Sequence, residues 1–269
     1  MMIPAGTRPV PAILQQWWVL TVRVITPTLR NGELLTPPAS SVLFTIGFYV
    51  PLKQLMGHFT NGMSSYAQYL MPLIVLQAIA FAAVSAAFRS ASDAVLGINQ
   101  RFGSMPIQPL TPLAARLSAS VFRCSIALAF AILCGHVIGF RFYTSVESTT
   151  AFCVLALTIG VALSLLGDLV GSGTKNPEAT THLLMLPMLI FGLLSVGVQP
   201  VEQFPGWIQP FVRNQPISQF IYALRALAGD STPAAGAVTW SLMGPALAWL
   251  VGTIAIVLPL YAYQSSRRR

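Results

Sequence analysis

Few residues in this sequence have the types and spacing of a catalytic or ligand-binding motif. The segment most similar to such a motif is a glycine-rich turn. Residues 171–175 read GSGTK, which has the glycines and the lysine of a phosphate-binding loop. Such a loop requires the order Gly-Lys-Ser/Thr directly after a strand. Here Lys175 follows the threonine, and no strand pattern precedes it. We therefore interpret the segment as a turn and expect this chain to bind no nucleotide.

Histidines, cysteines and carboxylates are equally scattered. The three histidines, His58, His136 and His182, lie too far apart for a metal motif on one helix. The three cysteines lie inside apolar stretches, where cysteine is typically a small packing residue. No two carboxylates share an apolar stretch, as a proton pump or a membrane-embedded acid–base enzyme would tend to require. The sequence thus predicts no metal site, no cofactor and no catalytic residue.

Two ionisable residues, Arg123 and Asp168, do lie within apolar stretches. An unpaired charge inside a bilayer costs at least about 2.5 kcal/mol. We therefore predict an interhelical ion pair between Arg123 and Asp168. The alternative is that each side chain extends separately to water at the edge of the membrane.

Composition decides the class of protein. Hydrophobic residues make up 55% of the 269 residues and charged residues only 8%, whereas soluble domains carry about 25% charged residues. A chain so poor in charge cannot cover a water-facing surface, which predicts an all-α polytopic membrane protein with one transmembrane domain, residues 1–269. We assign the net charge of +8 to cytoplasmic helix ends and not to nucleic-acid binding. No cleavable signal peptide is expected at the proline-rich start.

Apolar runs of about 20 residues predict about six transmembrane helices. The predicted spans are residues 38–56, 66–88, 113–140, 150–170, 182–198 and 242–263. An amphipathic run at residues 12–30 contains paired Trp17 and Trp18, which predicts a helix lying in the headgroup layer. Between the second and third spans, Ser92 is expected to cap a short helix at residues 92–103.

Residues 199–230 form the longest stretch outside the predicted spans. Pro216 and Gly229 bracket a helical pattern that is too short to cross a membrane. We predict a re-entrant segment that acts as an outer gate, because irregular backbone at membrane depth must be shielded by protein or water. The alternative is an amphipathic loop on the surface. The gate residues are Pro205, Trp207, Pro210, Asn214, Pro216 and Arg225.

The distribution of basic residues predicts the orientation. Only four of the fifteen lysines and arginines fall on one side of the predicted spans: Lys53, Arg141, Arg213 and Arg225. The side with the other eleven is expected to be cytoplasmic, so both termini should lie inside the cell. An even number of spans requires the same result.

The order of these elements resembles that of the ABC-2 type permeases, over almost the whole chain. The strings that carry the resemblance are NGELLT (31–36), SDAVLGINQRFGSMPIQPLTPLAAR (92–116), CGHVIGFRF (134–142), LPMLIFGLLSVG (186–197) and FVRNQPISQFIYALRALAGD (211–230). Within this family the chain is similar to the daunorubicin-resistance (Drr) type, including permeases that export phthiocerol dimycocerosate lipids in mycobacteria.

The resemblance implies partners. Two permeases would pair, this chain with a second copy or with a DrrC-like permease, and each would engage a separate DrrA-like ATPase that binds ATP and Mg²⁺. The short helix at residues 92–103 would be the coupling helix on that ATPase. The docking residues are expected to be Asp93, Asn99, Gln100, Arg101 and Phe102. Many ABC-2 permeases carry a Glu-rich run here, whereas Asp93 is the only acidic residue of this loop. The resemblance therefore does not identify which contacts transmit force from the ATPase.

The expected function is therefore a permease subunit in the inner membrane, in contact with membrane lipids, that exports lipid-like or hydrophobic drug-like cargo. Three alternatives remain. An ion-coupled secondary transporter would need carboxylates near the midplane, and a membrane-embedded transferase would need clustered carboxylates or histidines. A membrane scaffold that transports nothing is the third alternative, and a transport measurement is needed to distinguish it from an exporter.

Overall fold

The computed structural model describes residues 13–30, 35–56, 62–98, 101, 111–174 and 176–266. Within these ranges every regular element is helical. The α-helices are α1 Ile13–Arg30, α2 Thr36–Phe44, α3 Val50–Met56, α4 Tyr66–Val95, α5 Thr111–Ile138, α6 Val146–Gly173, α7 Pro177–Leu193, α8 Gln209–Asn214, α9 Pro216–Ala228 and α10 Trp240–Ser266. A π-helical turn, Thr45–Tyr49, joins α2 to α3, and 3₁₀ turns lie at Val201–Gln203 and Pro233–Ala235.

Four of the described helices are long and apolar enough to cross a membrane: α4, α5, α6 and the Trp240–Tyr261 part of α10. They coincide with four of the predicted spans. The predicted spans at 38–56 and 182–198 correspond to the run from α2 to α3 and to α7. Helix α7 begins at Pro177 because the Asn176 side chain caps it, accepting hydrogen bonds from the backbone N–H groups of Glu178 and Ala179 at 3.0 and 3.1 Å.

Helix α4 is the central element of the bundle. Its residues 66–79 are all buried, and it packs against α2, α5, α6, α7 and α9. A helix that is covered on all sides needs no polar face, which explains the long charge-free run from Tyr66 to the arginine at position 89.

Small residues set the close contact between α4 and α6. Gly167 and Gly171 of α6 face Ala83, Ala87 and Ala91 of α4, and both series repeat every four residues, a spacing that lets helix backbones approach in lipid. A Cβ on Gly167 would lie 3.1 Å from the Cβ of Ala87, and one on Gly171 would collide with the Ala87 carbonyl oxygen. The two helices therefore meet backbone to backbone.

Loops at the Tyr66 end of α4 are held by side-chain hydrogen bonds. The Gln68 amide donates to the carbonyls of Arg141 and Gly229 at 2.8 and 2.7 Å, and its oxygen accepts from the Arg141 N–H at 3.2 Å. The Asp230 carboxylate accepts from the backbone N–H of Ser64 at 2.8 Å and also from the Ser64 hydroxyl. These bonds satisfy loop polar groups where the chain re-enters the bundle.

Helix α1 buries its polar side. Gln16, Thr21 and Thr28 are buried, and the Trp17 indole donates to the Ser118 hydroxyl of α5 at 3.2 Å. The large apolar side chains of α1 are exposed instead: Ile13, Leu14, Trp18, Val19, Val22 and Leu29. Such a pattern is typical of a helix whose free side lies in lipid; the position of α1 in the headgroup layer stays a prediction.

The run from α2 to α3 bends at the π turn and lies against α5. The Ser41 hydroxyl donates to the Ala127 carbonyl at 3.1 Å, and the Tyr49 hydroxyl donates to the Ile138 carbonyl at 3.2 Å. Tyr49 also stacks on Tyr66 of α4, with ring centroids 6.3 Å apart. The first bond lies before the turn and both contacts of Tyr49 lie at its last residue, so α2 and the π turn are held against the central bundle.

We expect Gly171→Ala to destabilise the protein by about 1–3 kcal/mol, the usual cost of overpacking, because the new Cβ meets backbone and not a movable side chain. The matched control is Gly252→Ala in α10, where a Cβ has no atom within 4 Å. The midpoint of thermal unfolding in detergent is the measurement. Equal midpoints for both variants would show that the α4–α6 contact does not determine stability.

Candidate functional site

One guanidinium joins three helices at the Asp93 end of α4. Arg116 of α5 donates through Nη1 to the two carboxylate oxygens of Asp168 on α6, at 3.2 and 3.3 Å. Its Nη2 donates to Oδ2 of Asp93 on α4 at 3.1 Å. We call these residues the Asp93 cluster. The side chains of Asp168 and Arg116 are 8% and 14% exposed and that of Asp93 is 32% exposed, so the strongest bonds lie away from water.

The helix packing positions this cluster. Asp168 directly follows Gly167, so the close α4–α6 contact brings the Ser90 hydroxyl within 3.1 Å of the Asp168 carbonyl. Helix α10 covers the same end: its Val257 packs with Leu113 and Leu165 in a small apolar core. The apolar cover shields the cluster from water and strengthens its electrostatic interactions.

The two ion pairs limit what the Asp93 cluster can do. Arg116 binds both carboxylates, which suits them to linking helices and not to moving protons. Across the described ranges, no three His, Cys, Asp or Glu side chains converge where they could hold a metal ion. The cluster can therefore transmit a displacement of α4 to α5 and α6.

The sequence predicts Arg123 as the partner of Asp168, but the structure pairs Asp168 with Arg116. Arg123 is 4% exposed, so it does not extend to water either. Its Nη2 donates to Ser120 at 3.2 Å, and its Nε and Nη1 have no hydrogen-bond partner in the described part of the chain. The physical reason is depth, because Arg123 lies about 10 Å further along α5 than Arg116.

The predicted coupling helix at residues 92–103 is only partly described. Ser92 does not cap a new helix: it lies in the last turn of α4, where its hydroxyl donates to the Phe88 carbonyl at 2.9 Å. Helix α4 ends before Gly97, whose φ of 66° is a conformation that favours glycine. The Arg101 N–H donates to the Gly97 carbonyl at 3.2 Å.

The predicted docking residues have different environments. Asp93 belongs to the ion-pair cluster and Arg101 is exposed. Asn99, Gln100 and Phe102 lie outside the described residues. Sequence reasoning assigned Asp93 to docking, which stays a prediction, and missed its bond to Arg116. In the sequence Arg116 is only one more basic residue near a helix end.

Arg225 of α9 is a buried cation at the opposite, Tyr66 end of α4. It is 6% exposed, and its Nη2 donates to the carbonyls of Tyr69 and Val196 at 2.9 and 3.1 Å. Its guanidinium lies 3.9 Å from the centre of the Tyr69 ring, a cation–π contact. Within the described residues it has no carboxylate partner. Tyr69 and Asp93 are about 36 Å apart along α4, which exceeds the hydrocarbon thickness of about 30 Å.

The other predicted gate residues do not gather around Arg225. Trp207 is 82% exposed, and Pro205, Pro210 and Asn214 are also exposed. Pro216 begins α9, as the sequence predicts.

Sequence reasoning missed the neighbouring Gln215, which is buried and donates to the carbonyls of Phe191 and Leu194. The sequence feature that could have identified Gln215 is its position as a polar residue directly before the proline that starts an apolar helix. Through these two bonds Gln215 fixes the start of α9 to the end of α7.

We expect Arg116→Gln to destabilise the protein by about 3–5 kcal/mol, since it leaves the buried Asp168 without its cation. The double variant Arg116→Gln/Asp168→Asn should lose less than the two single variants together, because neither member is then charged. Thermal unfolding in detergent measures all three. Arg213→Gln, at an exposed arginine of α8, is the control and should change stability by about 0.5 kcal/mol at most. Additive losses would contradict the ion pair.

Comparison with known proteins gives a family and several relatives. Residues 35–263 match the family described as "ABC-2 family transporter protein", which confirms the resemblance in the sequence. The match begins just before α2 and continues into α10, so it includes the Asp93 cluster and Arg225.

The chain is 50% identical over 248 residues to the doxorubicin resistance ABC transporter permease protein DrrB of Mycobacterium tuberculosis, covering 90% of this chain and 86% of that protein. It is 25% identical over 248 residues to the probable DrrC permease of the same organism, with coverages of 89% and 87%. It is 26% identical over 207 residues to the daunorubicin resistance permease protein DrrB1 of Streptomyces coeruleorubidus, with coverages of 76% and 70%. This multi-pass membrane chain therefore belongs to the ABC-2 family of transporter proteins.

Proposed function

We propose that the chain is the permease subunit of an ATP-binding cassette exporter, which moves lipid-like or hydrophobic drug-like cargo out of the cytoplasm. The observation that carries the proposal is the family match over residues 35–263, supported by 50% identity to a doxorubicin resistance permease. That relative's name favours a hydrophobic drug as cargo. The lipid alternative, of the phthiocerol dimycocerosate kind, rests on the sequence resemblance alone.

The proposed topology has six spans, with the run from α2 to α3 as the first and α7 as the fifth. The first run, residues 36–56, is about 31 Å long, close to the hydrocarbon thickness of about 30 Å. Helix α7 has 17 residues, the lower end of the usual range for a span. Six spans put both termini on the cytoplasmic side of the inner membrane, with the Asp93 cluster inside and Arg225 outside.

The outer segment, residues 199–230, is proposed to enter the membrane from outside and return. Helix α9 packs against α4, α6 and α10, and its buried Arg225 is satisfied by carbonyls and a ring. A cation so arranged tolerates a site away from water, which supports a re-entrant position better than a loop on the surface.

Energy would come from a DrrA-like ATPase that binds ATP and Mg²⁺, with a DrrC-like permease or a second copy completing the pair. We propose that residues 92–103 dock on this ATPase. A push on the turn that follows Gly97 would move the end of α4, and the Asp93 cluster would carry the motion to α5 and α6. The bond from Arg116 to Asp93 supports this route.

The rival functions have less support. Ion coupling calls for a carboxylate that can titrate near the midplane, and the two intramembrane candidates, Asp93 and Asp168, both bind Arg116 near one end of the bundle. A scaffold would share the fold but would move no cargo, so transport is the deciding measurement.

We expect proteoliposomes that contain this chain, a partner ATPase and a second permease to move doxorubicin only when ATP is present. An uncoupler should leave this movement unchanged, because ATP and not an ion gradient supplies the energy. A fluorescence quenching assay of the drug follows it, with empty liposomes as the control. Inhibition by the uncoupler at constant ATP would favour an ion-coupled transporter. ATP hydrolysis without movement of drug or lipid would favour a scaffold.

Docking and gating can be separated with two exposed residues. We expect Arg101→Glu to reduce co-purification of the ATPase, since it reverses a charge on the proposed docking surface. Trp207→Ala should leave co-purification intact and slow export, because Trp207 lies on the outer segment. Both side chains are exposed, so neither change should alter folding. Loss of co-purification in both variants, or in neither, would contradict the assignment.

A further inference from the structure

A cavity of about 380 Å³ lies between α2, α4, α5 and α7, in the half of α4 that leads to the Asp93 cluster. Its volume falls within the range of small-molecule sites, about 300–1,000 Å³. Most of its accessible surface is apolar. The apolar side chains in its wall are Phe81, Val84, Phe88 and Met185, and the uncharged polar ones are Thr36, Ser85 and Thr181. The shape and lining therefore suit a hydrocarbon tail.

Arg123 supplies the cavity with a buried cation. The side chain is 4% exposed, and its only hydrogen bond within the described residues goes to Ser120 at 3.2 Å. Nε and Nη1 have no partner, although the rule in lipid is that an arginine binds an anion or backbone carbonyls. Asp168 is near enough to attract Arg123 but is not a hydrogen-bond partner of it within the described residues, and Arg116 binds both carboxylate oxygens of Asp168. Arg123 thus has unused donors beside an apolar wall.

Charges at the rim do not cancel this cation. Glu178 and His182 also line the cavity, but both are exposed, so water and salt screen them. Arg89 also lines the cavity. Both carboxylates of the Asp93 cluster line a smaller space next to Arg123 but not this cavity, so Arg123 is the buried charge that an incoming group would meet.

We propose that this cavity binds an amphiphile with a single anionic group, a phosphate or carboxylate carried on a hydrocarbon chain. Arg123 binds the anion, since guanidinium forms short, charge-assisted bonds with both groups. Phe81, Phe88 and Met185 enclose the chain. The assignment of this ligand as cargo rests on the proposed function, whereas the binding site itself does not. The ligand has two sources, an exported amphiphile or a resident phospholipid.

The direct test is calorimetric binding to the full-length chain in a neutral detergent, with dodecyl phosphate as the probe. We expect dodecyl phosphate to bind at least about tenfold more tightly than dodecanol, a difference of about 1.4 kcal/mol. Dodecyltrimethylammonium should bind no better than dodecanol, and inorganic phosphate alone should bind weakly because it lacks the tail. Equal affinity for dodecyl phosphate and dodecanol would overturn the proposal, and this comparison needs no variant.

Variants locate the site. Arg123→Gln should abolish the preference for dodecyl phosphate and leave dodecanol binding unchanged, while Arg123→Lys should retain part of the preference. Met185→Trp should fill the cavity and reduce binding of both probes. Leu186→Trp is the matched control, because Leu186 is 61% exposed on the same helix and is absent from the cavity wall. A preference that survives Arg123→Gln would overturn the role of this arginine.

The two sources give different outcomes in further measurements. ATP-dependent movement of dodecyl phosphate across proteoliposomes that contain the ATPase would support an exported amphiphile. An anionic phospholipid that co-purifies with the native chain, and is lost from Arg123→Gln, would support a resident lipid. If ATP drives movement of neither dodecyl phosphate nor doxorubicin but the calorimetric preference stands, the proposed function fails and the binding site remains. If the preference is absent, the site fails whatever the export assay shows.

Discussion

The backbone contact between α4 and α6 is the constraint on which the rest of this bundle depends. Lipid supplies no hydrophobic force between helices, so association rests on close van der Waals packing. Gly167 and Gly171 allow it, since a side chain at either position would meet α4. The same contact holds Asp168 beside Ser90 and so determines where Arg116 must lie. The close helix contact that the two glycines allow thus determines the position of the charged cluster.

Three arginines at increasing distance from the Asp93 end show three ways to keep a cation in an apolar protein. Arg116 binds two carboxylates. Arg225, at the other end, binds two carbonyls and a tyrosine ring. Arg123, between them, has one hydroxyl partner and two unused nitrogens beside a cavity. Among the buried side-chain nitrogens of the described residues, Arg225 leaves only its Nε without a hydrogen-bond partner, whereas Arg123 leaves two nitrogens that an incoming anion can use.

The sequence was sufficient for the class, for four of the spans and for a helix that starts beside Pro216, because hydropathy and proline act locally. The predicted spans at 38–56 and 182–198 stay predictions. The sequence also contains enough information to identify the partner of Asp168. Arg116 lies about as far from the start of its span as Asp168 lies from the end of its own span, whereas Arg123 lies deeper in the membrane. Arg123 looked preferable only because it is further inside the apolar run. The carbonyl partners of Arg225 could not be predicted, since they come from a turn and a helix distant in the chain.

The π turn at Thr45–Tyr49 contains one residue more than the corresponding turn of an α-helix would. Loss of a single residue there would let an ordinary α-helix continue without a break, which makes the site a natural place for length variation. Because the wider turn already takes up the extra residue, the helix on either side of it would keep nearly the same direction around its axis. Contacts outside the turn, such as the bond from Ser41 to the Ala127 carbonyl, would therefore survive a change in length.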